Sequence, residues 1–156
     1  MQLRSYNDTK RDAATRVVVG CLVGLALALL LVGLVSGTVL RHVIQIVPIV
    51  VVLAIVRRRP DWAAYAAIPI FLFWTLVVIL IWLFLLGFSR IANGHYTPIE
   101  ITSTSLMMAC SIVGVGKCVQ VGSTLSAAGR TLAFVLFAGM QVAVMWVSFL
   151  RPIANR

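Results

Sequence analysis

Acid is what this chain has least of. Four carboxylates, Asp8, Asp12, Asp61 and Glu100, stand against 13 lysines and arginines, for a net charge of +9. Charge of either sign makes up only 11% of the 156 residues, where a soluble domain carries about 25%. That scarcity excludes an ordinary water-facing surface. A water-soluble fold of this length has no way to hide a composition that is 62% hydrophobic. Lipid removes the difficulty, because apolar side chains then stay in contact with acyl tails.

Catalytic and metal-ligating residues are equally sparse. There are two histidines, His42 and His95, and three cysteines, Cys21, Cys110 and Cys118. The sequence holds no H-E-x-x-H, no paired-cysteine motif and no Ser/His/Asp set with supporting context. Cys110 and Cys118 are two helical turns apart, about 12 Å along one helix, too far to pair there. All three thiols lie in apolar stretches and read as buried and inert. Gly114-Val115-Gly116-Lys117 invites comparison with a phosphate loop, but Ser111 stands where the first glycine belongs and Cys118 follows the lysine. No catalytic residue, metal site or cofactor is therefore expected, and the chain reads as a non-enzyme.

The basic residues form no continuous stripe. They punctuate apolar runs, at Arg16, Arg41, Arg57 to Arg59, Arg90, Lys117, Arg130 and Arg151. That is the pattern of charges at helix ends that touch lipid head groups. Nucleic acid is excluded as a partner, since few of them lie close together outside the membrane flanks.

Between these charges lie the long apolar stretches. Residues 17–40 carry no charge, which is ample for a span, since about 20 helical residues cross a hydrocarbon core of about 30 Å. The run exceeds the apolar core of a signal peptide and continues into another, so an uncleaved first helix over 17–37 is expected. Small residues recur four apart at Gly20, Gly24 and Ala28, and again at Gly33 and Gly37. This spacing marks candidate helix-packing positions. Ser36-Gly37-Thr38 is a turn signal, and a second helix over 39–56 follows, with Arg41 at its start and Pro48 expected to kink it.

Arg57-Arg58-Arg59-Pro60-Asp61 is a boundary. Pro60 suits a first helical position and Asp61 complements the positive helix end. The third helix is expected over 62–88, with Trp62 and Tyr65 as interface anchors and a load of bulky aromatics. A polar loop with the Asn93-Gly94 turn pair leads to Thr97-Pro98-Ile99-Glu100, which has the spacing of a capping box. The fourth helix, over 98–121, carries Thr102, Ser103, Thr104, Ser105 and Ser111, and its hydroxyls suggest an interior place. Residues 122–129 form a small-residue linker. The fifth helix covers 131–150, with Gln141 as its strongly polar residue, and Arg151-Pro152 ends it.

The expected fold is an all-α polytopic transmembrane bundle of five spans. It comprises a basic N-terminal arm over 1–16, one transmembrane domain over 17–151 and a short tail over 152–156. A four-span version, with 98–121 re-entrant or interfacial, is the alternative. With five spans and the N-terminus in the cytoplasm, nine basic residues lie inside and four outside. The four-span count is the same, so charge bias fixes the N-terminal side alone. The bias fits a bacterial plasma (inner) membrane.

Three classes of function remain. The first is a multi-pass accessory, assembly or scaffold component whose partners are the lipid bilayer and other membrane subunits, or further copies of itself. The second is a small oligomeric transporter or channel built on Glu100, Gln141 and the hydroxyl-rich fourth helix, since polar groups within membrane helices mark solute paths. The third, a redox or lipid-modifying enzyme, rests on His42 and His95 alone. Two of the candidates have ordinary structural roles: Glu100 as a helix cap, and Lys117 as a charge that reaches the interface from its helix end.

Overall fold

The computed structural model describes residues 2–88, 96–121, 123–150 and 153. Five helices carry them: α1 (Gln2–Val35), α2 (Val39–Arg58), α3 (Pro60–Leu85), α4 (Pro98–Cys118) and α5 (Ala127–Ser148). All five are long and apolar enough to cross a membrane, and there is no strand among the described residues. In lipid, a segment must satisfy its own backbone groups, which leaves helices once apolar runs reach this length. The chain is thus a five-helix membrane bundle; α4 is a full-length helix of 21 residues, long enough to span.

Helix ends are set by local chemistry. Gly37 and Gly87 adopt left-handed backbone conformations, with φ of 69° and 79°. Each closes a helix by a paired set of bonds: Thr38 N–H donates to the Gly33 carbonyl and Gly37 N–H to Leu34, and Phe88 N–H donates to Leu83 and Gly87 N–H to Phe84. This is the Schellman arrangement, which only a residue without a Cβ adopts cheaply. It ends α1 at 35 and α3 at 85, short of the 37 and 88 expected from hydropathy. Ser126 accepts a bond from Gly129 N–H and starts α5 at 127 instead of 131. Thr97 and Glu100 form the capping box reciprocally: Glu100 N–H donates to Thr97 Oγ1, and Thr97 N–H donates to Glu100 Oε2 at 2.7 Å.

The basic segment expected over 1–16 is helical from Gln2 onward, as the opening of α1 itself, because nothing in it breaks the helix. The asparagine-glycine turn, Arg90, His95, Arg151-Pro152 and the rest of the tail lie outside the described residues.

Contacts between helix ends show that successive helices alternate in direction. Arg11 meets Asp61, joining the starts of α1 and α3. Gln45, near the start of α2, meets Ser148 at the end of α5. Around the bundle the order is α1, α4, α3, α5, α2, closing back on α1, and α3 touches all four others. Its opening turns are built for that: Ala63, Ala64, Ala66 and Ala67 are buried and let neighbours approach, followed by buried Ile70, Phe71, Trp74 and Val78. The hydroxyl-rich α4 does not take this central place. It packs on α1 and α3, buries Ser103, Thr104 and Ser111, and exposes Leu106, Ile112 and Val113. Four of its hydroxyls bond carbonyls about one turn back in their own helix, Thr102 to Pro98, Ser103 to Ile99, Thr104 to Ile101 and Ser105 to Ile101, while the buried Ser111 Oγ has no partner. Hydroxyls satisfied in this way do not demand an interior position.

Candidate functional site

The glycine-rich face of α1 meets two different helices. Gly24 lies against α4, where a Cβ would stand 2.9 Å from Cys110 Sγ, and Gly33 lies against α2, where a Cβ would stand 2.9 Å from His42 Cβ. Ala28, between them, is buried. Gly20 has nothing within 4 Å of its Cβ position, and Gly37, expected on a packing face, serves the turn instead. The tightest of these approaches among the described glycines is at Gly114, which the sequence did not mark as a packing position. A Cβ on Gly114 would stand 2.5 Å from the buried ring of Phe71, so α4 seats its glycine directly on an aromatic face of α3.

The polar candidates fall into separate places. Glu100 is occupied by its cap, accepting also from Thr97 Oγ1 at 2.9 Å. His42, half-buried at the start of α2, places Nδ1 3.0 Å from the Thr38 carbonyl and 3.2 Å from Thr38 Oγ1. Those are local contacts of a helix opening. Lys117 bonds Gln120 Oε1 at 3.0 Å at the far end of α4. Among the described residues no three His, Cys, Asp or Glu side chains converge on a point that would hold a metal. The three cysteines are free, and all lie in α1 and α4, the two helices that share the broadest seam.

Gln141 differs from the others. It is wholly buried in α5, and neither its amide nitrogen nor its amide oxygen has a hydrogen-bond partner. Two turns further along the same helix, Ser148 is buried and bonded: Gln45 Nε2 donates to its Oγ at 2.9 Å, and Ser148 Oγ donates to the Met145 carbonyl at 2.7 Å. α5 thus carries one polar side chain paired with α2 and one buried orphan.

Several contacts at the charged ends carry little mark in the sequence. At one end Arg11 Nη2 donates to Asp61 Oδ1 at 2.6 Å, and Ser123 Oγ, in the α4–α5 connection, donates to the Asp61 carbonyl at 2.9 Å. The bond from Arg11 holds the Asp61 carboxyl below its ordinary value; partial desolvation opposes this and bonds from Thr124 add to it. Arg130 bonds the Leu125 carbonyl and lies 5.7 Å from the centre of the Tyr65 ring. At the other end the Arg41 guanidinium sits 3.9 Å over the ring of Phe149, and Tyr96 lies against Phe84. Burial pushes the Tyr96 phenol up, with the Glu100 charge adding to the effect. One clue to the first contact was in the composition: a lone aspartate at a helix start, on the side that alternation makes most basic, finds an arginine.

The outer surface has its own relief. Along the exposed side of α5 runs an apolar groove of about 580 Å³, floored by Ala138, Gly139 and Ala143 and flanked by Phe134 and Trp146. A second, of about 590 Å³, lies between α5 and α2, lined by Val51, Ile55, Leu136 and Met140 among others. No protein family, no curated protein and no solved structure matches the chain.

Proposed function

We propose that this protein is a non-catalytic membrane component, an accessory, assembly or scaffold subunit that works by holding other membrane helices or further copies of itself. The observation that carries this reading is the outer face of α5. Gly139 and Ala143 stand four apart on an exposed, groove-forming side of the helix, the spacing that lets a second helix approach closely in lipid. Trp146, 70% exposed, closes one end of the groove as a large apolar contact. The nine-to-four distribution of basic residues supports a cytoplasmic N-terminus and fits a bacterial plasma membrane.

The arrangement of polar residues argues against a solute path through one copy. Glu100 and the hydroxyls of α4 are separated from Gln141 by α3, since α4 and α5 do not touch. The test is purification of the tagged chain in mild detergent from its native membrane. A partner in fixed stoichiometry, or a defined homo-oligomer, is expected. A monodisperse monomer with no such companion overturns the reading. The orphaned amide of Gln141 supports a second reading, an oligomeric transporter or channel with that residue on its path. Ion or solute flux in liposomes that disappears in Gln141→Leu would select it.

A further inference from the structure

Lys117 stands in an apolar stretch of α4, and its helix cap does not need it, because the final turn is closed by backbone bonds from Val119 and Gln120. Its position becomes informative next to α1. A cleft of about 540 Å³ opens between the two helices, lined by Lys10, Ala13, Ala14, Val17, Lys117 and Gln120. That volume lies within the range of about 300–1,000 Å³ typical of small-ligand sites. Positions 10, 13, 14 and 17 share one face of a helix, so the cleft wall is continuous. Among the described residues that line it there is no acid.

The depth of the two lysines is set by the helices that carry them. Lys117 is the last residue but one of a span that starts at Pro98, about 29 Å along the axis from that start. That puts it at the edge of a hydrocarbon core about 30 Å thick. Lys10 is the second residue of the first span, about 38 Å from its far end at Val35, and so lies outside the core on the same side. Between them is the level of the lipid phosphates. The alanines and Val17 supply the apolar wall that a glycerol backbone and the first methylenes of an acyl chain require. Basic pockets between membrane helices take anionic head groups for these reasons.

We propose that the α1–α4 cleft is a binding site for an anionic phospholipid, with Lys10 and Lys117 bracketing the phosphate and Gln120 donating to a head-group oxygen. A phosphate group has a second source, the free anion, and the test separates the two. The full-length protein in a nonionic detergent is titrated with phosphatidylglycerol, phosphatidylcholine and inorganic phosphate, and bound lipid is counted by native mass spectrometry. One phosphatidylglycerol is expected to bind saturably, in preference to phosphatidylcholine. Lys10→Gln and Lys117→Gln are each expected to weaken it about fivefold, and the double variant about 25-fold. Arg59→Gln, at the same end but outside the cleft, should leave it within about twofold. Lys10→Arg with Lys117→Arg keeps both charges and should bind as the unaltered chain does. Equal weakening by Arg59→Gln would indicate a diffuse surface potential and overturn the site, as would unchanged binding in the double variant. Displacement of phosphatidylglycerol by micromolar inorganic phosphate would assign the cleft to the free anion and overturn the lipid.

Discussion

α4 and α5 flank α3 without touching each other, and they are held by opposite means. α4 is seated by closeness: Gly114 on the Phe71 ring, and Cys110 against Gly24 of α1. α5 buries the smallest share of any span, 22% against 39% for α1. What it buries includes one glutamine with no hydrogen-bond partner. The difference shows that one bundle fixes two helices in different ways, although each buries a polar group without a partner, the Ser111 hydroxyl on α4 and the Gln141 amide on α5. A membrane helix gains little from merely leaving lipid, so it is fixed by close packing or by polar pairing. α4 has the first, while α5 has a single satisfied pair, Gln45 with Ser148, and an outer face lined with small residues.

The sharpest way to break the comparison is at Gly114. Intrinsic propensity favours alanine over glycine in a helix by about 1 kcal/mol, so a loosely packed site would gain from the change. Here a methyl would enter the Phe71 ring, which is fully buried. Gly114→Ala is expected to lose stability by about 1–3 kcal/mol, and Gly114→Leu by the top of that range or beyond it. Unfolding of the purified protein in mixed detergent micelles reads this. Adding Phe71→Leu to Gly114→Ala should recover part of the loss, a coupling that a double-mutant cycle isolates. Unchanged unfolding in Gly114→Ala would mean that α4 is not held by this contact.

At Gln141 the sign reverses. Burying an amide with both ends unpaired costs about 1–3 kcal/mol. Gln141→Leu should therefore stabilise the isolated chain by up to that amount. Gln45→Leu should destabilise it by about 1 kcal/mol, because it removes the donor to Ser148. The pair of variants, measured by the same unfolding curve, contrasts two buried glutamines in facing helices. Should Gln141→Leu destabilise as well, the amide has a partner in the folded chain, and α5 is better anchored than its contacts indicate.

A smaller effect is expected where the α4–α5 connection is tied to α3. Asp61 takes bonds from Arg11 and Thr124 on its carboxylate and from Ser123 on its carbonyl, so Asp61→Asn weakens the carboxylate bonds and leaves the carbonyl one. The pair is about one-third exposed on both sides, and ion pairs of that kind contribute about 0–1 kcal/mol. Its pH dependence has a definite sign. The folded carboxyl titrates below its ordinary value of about 3.9. The contribution is therefore full above that ordinary value and fades as pH falls through the lowered one. The stability gap between the native chain and Asp61→Asn should be flat near neutrality and close in acid. A gap that opens on acidification instead would mean that Asp61 is not held ionised by Arg11.

These contrasts also mark what the sequence could say. Uncharged runs bounded by arginines announce five helices because lipid tolerates no other solution at that length. Thr97, Pro98 and Glu100 announce the start of α4 because a capping box is a contact between near neighbours. The turn after Val35 is legible in Ser36-Gly37-Thr38, whereas the boundary at Leu85 was obscured because hydropathy continues through Leu86. The signal there was Gly87, two residues later, whose left-handed backbone stops a helix whatever its polarity. The seating of Gly114 on Phe71 was illegible for a different reason. A glycine in a membrane helix carries no mark of which neighbour it faces, and Gly20 and Gly24, alike in pattern, differ in whether anything meets them. Spacing along a helix announces a face; only the arrangement of the other helices decides whether that face is filled.

Gly139 turns this last point into a measurement. It is a helix-interior glycine like Gly114, yet its Cβ position has nothing within 4 Å. Gly139→Leu should change the unfolding of the isolated chain by no more than about 0.5 kcal/mol, as for a surface substitution. In lipid, however, the same leucine fills the floor of the α5 groove, and a helix that relied on close approach there is displaced. The variant should therefore fold as the native chain does and lose its stoichiometric companion in mild detergent, a combination that Gly114→Ala cannot produce because its cost falls on the monomer. If the companion survives Gly139→Leu, the partner sits elsewhere and the groove holds only acyl chains. If the monomer itself is destabilised, α5 is packed on both sides and its contrast with α4 dissolves.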